Sequence, residues 1–428
     1  MPRVDLVLTA RPPRLTESDA LEAARSLFGA SAVAARDLGS ERDRTFALED
    51  AAGRPRAILK VSNRSEDPEV LDMEAAAALQ VSALDPGLHV GVPWPAGGPG
   101  DSEPARPGSP GDDLPGLRAT WWDGDIAHWV RLYDVLPGRS GIDASVLDDA
   151  ALIAWGETTA RLGLALRGFA HPRARRTMVW DVQHALAARR MLGDIRSRAQ
   201  RKLVQRVLDE YERTIVPVWP RLRAQVVHTD LAVENTLTDE AGLITGVIDF
   251  GDMSHTALVT DLASVLDSLG VGRDGEELFR LARLVLDGYQ RRVELEELEL
   301  RVLGVLWAAR SALTIAISSW RVAQGLEEPS FAERYDYAGR AQMIETMLNV
   351  GWSEVGASWA RRRRRRRRMP GRWPSGGRRP LAPPWSRCST TSRYRSRPLT
   401  VCGSPTRTAG GTWTRTTTCR ASATHIRA

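Results

Sequence analysis

The chain has 428 residues, of which 43% are hydrophobic, so it is long enough for roughly two or three domains with a substantial core. Its formal net charge is +6, but 19 arginines after residue 360 leave 40 basic against 53 acidic side chains in residues 1–360, a net charge of −13. An acidic body argues against a nucleic-acid-binding protein and favours a small-molecule partner that is cationic.

Cysteine placement and hydropathy narrow the class further. All three cysteines follow residue 360, so residues 1–360 can form neither a disulfide nor a thiolate zinc site. The start of the chain has no apolar stretch of signal-peptide length. The longest apolar run, residues 303–320, is interrupted by Arg310 and small polar residues, which predicts a buried helix and no membrane span. We therefore expect a cytoplasmic protein.

Residues 1–136 are predicted to form a small nucleotide-binding lobe of antiparallel strands with two helices. Thr16 begins a capping-box pattern, which indicates a helix over 16–28. The other predicted elements are strands over 32–38, 45–48 and 56–61, a helix over 68–84, and a hairpin over 117–122 and 127–135. Residues 92–115 are rich in Pro, Gly, Asp and Ser, and we interpret them as a flexible surface insertion.

Lys60, one of only two lysines, lies near the end of the third predicted strand, and Glu74 lies on the helix that follows. A lysine so placed can contact the α- and β-phosphates of a nucleotide while the glutamate holds it by an ion pair. Taken alone, the two residues would favour a solvated edge lysine and a surface glutamate on the helix. Their position ahead of the acidic motif described below favours the nucleotide-binding interpretation.

Pro137-Gly138 ends the hairpin, and we place the domain boundary there, between residues 1–136 and 137–356. A chain that crosses between two lobes at this point can offer the backbone groups of Val135 and Leu136 to an adenine edge. Helices dominate the second part, and they are predicted over 146–166, 177–191, 195–216, 260–269, 276–290, 295–320 and 330–348.

Gly270-x-Gly272-x-x-Gly275 has the spacing of a dinucleotide-binding fingerprint. It follows a predicted helix and lacks the surrounding strand–helix–strand unit that such a fingerprint requires. We interpret it as a helix–helix loop.

Residues 226–252 carry the chemistry. They are predicted to form a strand, a loop, a strand, a turn and a strand. His228-x-Asp230 follows the first strand, Asn235 comes five positions after Asp230, and Asp249-Phe250-Gly251 follows the last strand, which is apolar. In phosphoryl transfer one carboxylate orients the acceptor hydroxyl, while an amide and a second carboxylate hold the Mg²⁺ that bridges the phosphates of ATP.

In this interpretation Asp230 is the catalytic residue, and Asn235 and Asp249 are the Mg²⁺ ligands. His228 is expected to hydrogen-bond the backbone near Asp249 instead of acting as a base, and Gly251 to support the loop. Asp and Asn also satisfy turn geometry in many loops, but the combined spacing is far more specific than an isolated His-x-Asp. Two further acids are also given roles: Asp252 is expected to face an amine of the substrate, and Asp261 to cap the helix that follows it.

On these residues the chain resembles the aminoglycoside phosphotransferase and choline kinase superfamily, over roughly residues 33–349. The stretches HTDLAVENTL, GVIDFGDM and ARLGLALRGF are most similar to its hydroxylysine-kinase-like branch. The resemblance implies an α+β, bilobal, protein-kinase-like fold. It also implies that Lys60 and Glu74 position the nucleotide, that Asp230 is catalytic, and that Asn235 and Asp249 bind magnesium. Gly163 departs from the family, in which many members carry histidine.

Residues 357–428 are predicted to be a disordered, arginine-rich tail. Residues 361–368 are eight consecutive arginines, and the segment after them has no acid, no lysine and no periodic apolar pattern. Back-translation of residues 413–424 in a shifted frame yields a sequence similar to the start of a class III aminotransferase. Bacterial members of the hydroxylysine-kinase-like branch are often fused to that enzyme, so we interpret the tail as a frame-shifted beginning of it.

The sequence thus predicts an ATP- and Mg²⁺-dependent small-molecule kinase that phosphorylates a hydroxyl of an amino-bearing metabolite, such as hydroxylysine. Aminoglycoside- or fructosamine-type acceptors remain open. So does a catalytically idle kinase-fold module that partners a fused or neighbouring aminotransferase.

Overall fold

The computed structural model describes residues 12–40, 42–97, 116–328, 330, 336–352 and 359. Most of the insertion predicted at 92–115 and all but one residue of the tail predicted at 357–428 lie outside this part of the chain.

The described elements alternate strands and helices in the first third of the chain, and helices dominate afterwards. The strands are β1 (Ala34–Asp37), β2 (Arg44–Glu49), β3 (Pro55–Val61), β4 (His89–Val90), β5 (Ala119–Asp123), β6 (Ile126–Asp134), β7 (Ala224–Val227), β8 (Thr236–Thr238), β9 (Ile244–Val247) and β10 (Ser254–Ala257). The α-helices are α1 (Glu17–Phe28), α2 (Pro68–Leu84), α3 (Asp149–Ala165), α4 (Arg198–Thr214), α5 (Thr260–Gly270), α6 (Gly275–Tyr289), α7 (Glu297–Ala323) and α8 (Tyr337–Val350). The predicted α+β class is confirmed.

Five strands form an antiparallel sheet in the order β1-β2-β3-β6-β5. Helix α1 covers this sheet and begins with the predicted capping box, in which Thr16 and Asp19 satisfy each other's backbone N–H groups. Phe28 of α1 packs in one apolar cluster with Phe46 and Leu59 of the sheet. The side of the sheet that faces α1 is therefore an apolar core. The other side carries Lys60 and Arg131 and makes polar contacts.

Helix α2 begins at Pro68, after the N-cap Asp67, whose carboxylate accepts a hydrogen bond from the N–H of Glu69. Its buried positions include Met73 and Glu74. A buried carboxylate in an alanine-rich helix needs a cationic partner, because an unpaired charge there is costly.

Two small sheets join the catalytic segments to the helical part. Strands β7 and β10 pair antiparallel, while β9 lies between β4, to which it is parallel, and β8, to which it is antiparallel. Strand β10 was not predicted, because its four residues carry no alternating apolar pattern. The three strands predicted for residues 226–252 correspond to β7, β8 and β9.

Helix α7 is the central helix of the second part. It is long and apolar enough to cross a membrane by length and composition, yet it is almost entirely buried inside the protein. The prediction of a buried helix over 303–320 is therefore confirmed. The loop Gly270–Gly275 connects α5 to α6, which confirms its interpretation as a helix–helix loop.

The helix predicted over 177–191 differs in the structure. A 3₁₀ segment, Val182–Asp194, occupies this region and is kinked at His184. Asp181 caps it by accepting a hydrogen bond from the N–H of Gln183, while the carboxylate also accepts hydrogen bonds from Ser254 and Thr256 of β10. These contacts delay the start of the helical turns, and sequence periodicity does not reveal them.

Helices α3 and α6 approach each other through glycines. A methyl group on Gly156 would overlap the carbonyl of Val285, and one on Gly288 would overlap the carbonyl of Ile153. Such overlap with backbone forces the helices apart, since backbone atoms cannot rotate away as a flexible side chain can.

We expect Gly156→Ala to lower the free energy of unfolding by about 2 kcal/mol or more, measured by urea denaturation. The matched control is Gly163→Ala on the same helix, where the nearest atom to an added methyl carbon is the Leu258 Cδ1, 3.7 Å away. That variant should unfold within about 0.5 kcal/mol of wild type, or at higher urea, because alanine favours helix. Equal destabilisation of both variants would contradict the close-packing argument.

Candidate active site

The loop between β7 and β8 carries His228, Asp230 and Asn235 and contains a strained residue near its start. Thr229 has a φ of 65°, a left-handed conformation that is rare for a β-branched residue. Asp261 compensates for it: Thr229 N–H donates to Oδ1 at 2.7 Å, and His228 N–H donates to Oδ2 at 3.4 Å. The turn that aims Asp230 into the cleft is therefore held by a carboxylate from α5.

This contact corrects the expectation for Asp261. Helix α5 begins at Thr260 after Val259, which makes no side-chain cap, so Asp261 lies in the first turn and not at the N-cap. Its carboxylate turns inward because the two backbone N–H groups of the catalytic loop have no strand partner. Burial raises the pKa of Asp261 to about 6.

The raised pKa has a testable consequence for stability. The Asp261 carboxyl has a higher pKa in the folded protein than in the unfolded chain. Its contribution to stability is therefore complete at pH values below the unfolded pKa, and it is lost as the pH rises through about 6. Asp261→Asn removes this titration. Between pH 4 and pH 7.5 we expect the free energy of unfolding of the variant to gain about 3 kcal/mol relative to wild type, measured by urea denaturation. A constant difference across that range would show that Asp261 is not the titrating group.

Asn235 holds Asp230 directly. The Asn235 Nδ2 donates to Asp230 Oδ2 at 2.7 Å and to the Asp230 carbonyl at 3.0 Å. Because the amide nitrogen is committed, the amide oxygen is the atom left to face a ligand, and no described residue donates a hydrogen bond to it. An oxygen in this position suits a hard divalent cation.

Asp249 follows β9 by two residues and has a φ of 59°, which turns its side chain towards the five-stranded sheet. Its Oδ1 accepts from the Lys60 Nζ at 3.2 Å and from the Gly251 N–H at 3.1 Å. The Lys60 ammonium holds the pKa of Asp249 well below its ordinary range. Asp249 is therefore held in the ionised form, which a metal ligand requires.

Lys60 lies between two carboxylates, since Asp43 Oδ2 is 3.5 Å from its ammonium. Burial disfavours the charged ammonium, but Asp249 and then Asp43 outweigh that effect, and the pKa of Lys60 lies above its ordinary value. The cation is thus held at the mouth of the cleft, opposite the Asp249 carboxylate.

The expected ion pair between Lys60 and Glu74 is not formed. Glu74 Oε2 instead accepts from the Arg131 guanidinium at 2.6 Å, and both side chains are buried. Arg131 lies directly across from Lys60 in the register of β3 and β6, so two cations share this face of the sheet. The longer guanidinium reaches the helix while Asp249 and Asp43 hold the ammonium, and a cross-strand neighbour of this kind cannot be deduced from sequence spacing.

His228 behaves as predicted. Its Nε2 lies 3.1 Å from the carbonyl of Ile248, next to Asp249, and its Nδ1 lies 3.4 Å from the Asp230 N–H. An imidazole that donates from Nε2 can accept at Nδ1, so one ring joins the Asp230 loop to the Asp249 loop. The ring also packs against Phe250, with centroids 5.0 Å apart.

Gly251 and Asp252 complete the second loop. A methyl group on Gly251 would lie 2.8 Å from Asp249 Oδ1, so a side chain there would displace the carboxylate. Asp252 was expected to face an amine of the substrate, but its Oδ1 lies 2.9 Å from the Arg42 guanidinium, on the turn between β1 and β2. Its carbonyl also accepts from Thr229 Oγ1 at 2.5 Å. The Asp252 carboxylate is therefore already paired with Arg42, and this ion pair joins the Asp249 loop to the turn between β1 and β2.

Val135 and Leu136, which were predicted to offer their backbone groups to an adenine edge, lie just after the end of β6. Their backbone N–H and C=O groups form no hydrogen bond with any described residue, so they can pair with a ligand edge. The next residue, Pro137, is fixed by Thr245, whose hydroxyl donates to the Pro137 carbonyl at 2.6 Å.

The role of Arg310 was not predicted from the sequence. This residue is buried on α7, its NH2 donates to Asp230 Oδ1 at 2.5 Å, and its NH1 donates to the Trp180 carbonyl at 2.9 Å. Burial raises the pKa of Asp230, and the Arg310 charge opposes that effect. One signal was present: Arg310 is the only charged residue in the apolar run 303–320.

The fold combines a small antiparallel sheet, which carries a lysine, with a mainly helical second part. The loops that carry Asp230, Asn235 and Asp249 lie between them. This is the arrangement of a phosphotransferase that acts on hydroxyl groups of small molecules. The model of the phosphotransferase enzyme family (APH) matches residues 34–297, and the chain belongs to this family.

Curated relatives carry a narrower name. The chain is 23% identical over 328 residues to hydroxylysine kinase of Mus musculus, covering 72% of this chain and 83% of the relative. It is 22% identical over 355 residues to hydroxylysine kinase of Danio rerio, covering 81% and 95%.

Solved structures support the kinase-like fold. An amicoumacin kinase in complex with AMP-PNP and Ca²⁺ has a TM-score of 0.56 and 19% identity, covering 78% of this chain and 94% of that one. A microcompartment-associated aminopropanol kinase also has a TM-score of 0.56, with 20% identity and coverage of 75% and 93%. The predicted kinase-like fold and family are thereby confirmed.

Proposed function

We propose that this protein is an ATP- and Mg²⁺-dependent kinase that phosphorylates the hydroxyl group of hydroxylysine or a closely related hydroxylated amine. The observation that carries the proposal is the convergence of Asp230, Asn235 and Asp249, with Lys60 reaching Asp249 from the opposite sheet.

The residues present fit a nucleotide with a divalent metal. Asn235 and Asp249 offer oxygen ligands of the kind Mg²⁺ prefers, and a bound metal would neutralise charge on the transferred phosphoryl group. The Lys60 side chain can turn from Asp249 to the phosphates while strand β3 keeps its position. In this proposal the backbone groups of Val135 and Leu136 bind the adenine edge.

Asp230 is the residue that acts on the acceptor. Its carboxylate is held on both oxygens, by Arg310 and by Asn235, and each oxygen keeps lone-pair capacity for an incoming hydroxyl. A hydroxyl that donates to this carboxylate is oriented with its oxygen towards the phosphorus, which is the main requirement of the transfer.

The acceptor class rests on the relatives and on charge. Two curated relatives are named hydroxylysine kinase, and one solved neighbour is named an aminopropanol kinase, so both names describe amino alcohols. The net charge of −13 in residues 1–360 favours such cationic acceptors electrostatically.

The test is ATP turnover against a panel of acceptors: 5-hydroxylysine, 1-amino-2-propanol, an aminoglycoside and a fructosamine. We expect phosphorylated product from 5-hydroxylysine, detected by mass spectrometry, and none from the Asp230→Ala enzyme. Product from the aminoglycoside alone would replace the proposed acceptor. If wild type and Asp230→Ala show only the same background ATP hydrolysis, the chain is an idle module of the kinase fold and the proposal fails.

A further inference from the structure

Arg310 is an unusual residue for its position. It is the one charged side chain in residues 303–320, in the helix that forms the centre of the helical core. Burying a guanidinium costs several kcal/mol unless hydrogen bonds and a counter-charge compensate, so its contacts decide why the fold tolerates it.

Those contacts connect Arg310 to Trp180 and to Asp230 of the candidate active site. The Arg310 NH1 donates to the Trp180 carbonyl, and the guanidinium carbon lies 5.5 Å from the centroid of the Trp180 ring. These two contacts fix the direction of the guanidinium. Among the described residues, the guanidinium also makes a charge-assisted hydrogen bond of 2.5 Å to Asp230 Oδ1.

Asp230 is consequently held from two sides. Asn235 donates to Oδ2 from the catalytic loop itself, whereas Arg310 donates to Oδ1 from α7, which is 80 residues away in the chain. A carboxylate held on only one oxygen can rotate about its Cβ–Cγ bond. With a separate donor on each oxygen, the plane of the carboxylate is fixed, and so are the directions of its unused lone pairs.

We propose that Arg310 is a positioning residue for phosphoryl transfer: anchored by Trp180, it fixes the Asp230 carboxylate plane in which the acceptor hydroxyl is received. This inference rests on the proposed kinase function. It gives Arg310 no contact with ATP, and it assigns its effect to the turnover step rather than to acceptor affinity.

The test compares Arg310→Gln and Arg310→Lys with wild type, using ATP and 5-hydroxylysine. Arg310→Gln should lower kcat by about 100-fold with both KM values within about threefold of wild type, because the misoriented carboxylate affects only the reacting geometry. Arg310→Lys keeps a cation but loses the fork that spans Trp180 and Asp230, so it should recover about tenfold of the loss. Thermal unfolding is recorded for every variant.

The matched control is Arg321→Gln. Arg321 is another buried arginine of α7, and it pairs with Glu327 at 2.6 Å, away from Asp230. We expect it to keep kcat within about threefold of wild type even where its melting temperature falls. A loss equal to that of Arg310→Gln would show that α7 arginines matter only for folding, and the inference would be overturned.

A double-mutant cycle separates positioning from direct binding. In the Asp230→Asn background, Arg310→Gln should change the residual rate by less than about threefold, because Arg310 acts only through Asp230. If the full loss persists there, or if it appears as a raised acceptor KM, Arg310 binds the acceptor itself and the proposal is wrong.

The same ratios are measured in ATP hydrolysis without acceptor, where water takes the place of the hydroxyl. Wild-type turnover of the acceptor panel reports on the proposed function, while the ratios among variants report on Arg310. An enzyme that hydrolyses ATP with these ratios and phosphorylates no amino alcohol would therefore contradict the acceptor assignment and support the inference.

Discussion

Asp230→Asn is expected to lower kcat by about 10³-fold while the affinity for ATP stays within about threefold of wild type. The amide is close in size to the carboxylate, but it carries no charge, and its nitrogen cannot accept the hydrogen bond of the acceptor hydroxyl. It also ends the ion pair with Arg310. Single-turnover measurement of phosphorylated product at saturating ATP gives the ratio.

The control for this variant tests whether aspartates of the region serve only turn geometry. Asp239 lies in the turn between β8 and β9, where its Oδ1 accepts from the N–H groups of Ala241 and Leu243. Asp239→Asn keeps an acceptor oxygen and should keep kcat within about threefold. If both variants lose the same small factor, Asp230 is a turn residue and the catalytic assignment is wrong.

Asp249→Asn is expected to lower turnover by a similar factor, about 10³-fold, and in addition to abolish metal-dependent ATP binding. The amide weakens the site for a divalent cation, and it also releases Lys60 from the stronger of its two carboxylate partners. Calorimetric titration of ATP with and without Mg²⁺ separates these effects, because only the metal contribution vanishes when the cation is omitted.

Asp43→Asn is the matched control for Asp249. Asp43 is the other carboxylate beside Lys60, at 3.5 Å, and it lies on the turn that precedes β2. Its loss should lower turnover by about tenfold at most, with Mg²⁺ dependence unchanged, since it offers the proposed metal site no ligand. An Asp249→Asn enzyme whose ATP affinity still rises with Mg²⁺ to the wild-type extent would exclude Asp249 as a metal ligand.

Much of the fold could be predicted because it depends on local signals. The capping box at Thr16, the proline at the start of α2 and the apolar period of α7 each act within a few residues, so the starts of α1 and α2 and the helical type of α7 followed from the chain alone. The segment Val182–Asp194 was predicted as an α-helix and is a kinked 3₁₀ segment, because its start is decided by contacts between Asp181 and the distant β10.

The candidate site likewise has some features that the sequence predicted and others that only the tertiary structure revealed. The spacing of Asp230, Asn235 and Asp249 was sufficient to predict phosphoryl transfer, and the family followed from the resemblance of the stretches that contain them. His228 contacts the backbone near Asp249, as expected. The partners of those residues were not predictable. Glu74 pairs with Arg131, and Asp252 pairs with Arg42. In both pairs the arginine is distant in sequence and is brought close by a neighbouring strand or a facing loop.

The sequence by itself determined the chemistry of this protein, because the residue types and spacings of a phosphoryl-transfer site lie within residues 226–252. Only the tertiary structure decided what holds that site in place. Asp261 stabilises the strained turn at Thr229 from α5, and Arg310 fixes the Asp230 carboxylate from α7. The physical reason is that ion pairs and buried hydrogen bonds depend on distance in space, and 32 and 80 residues of chain separate these partners.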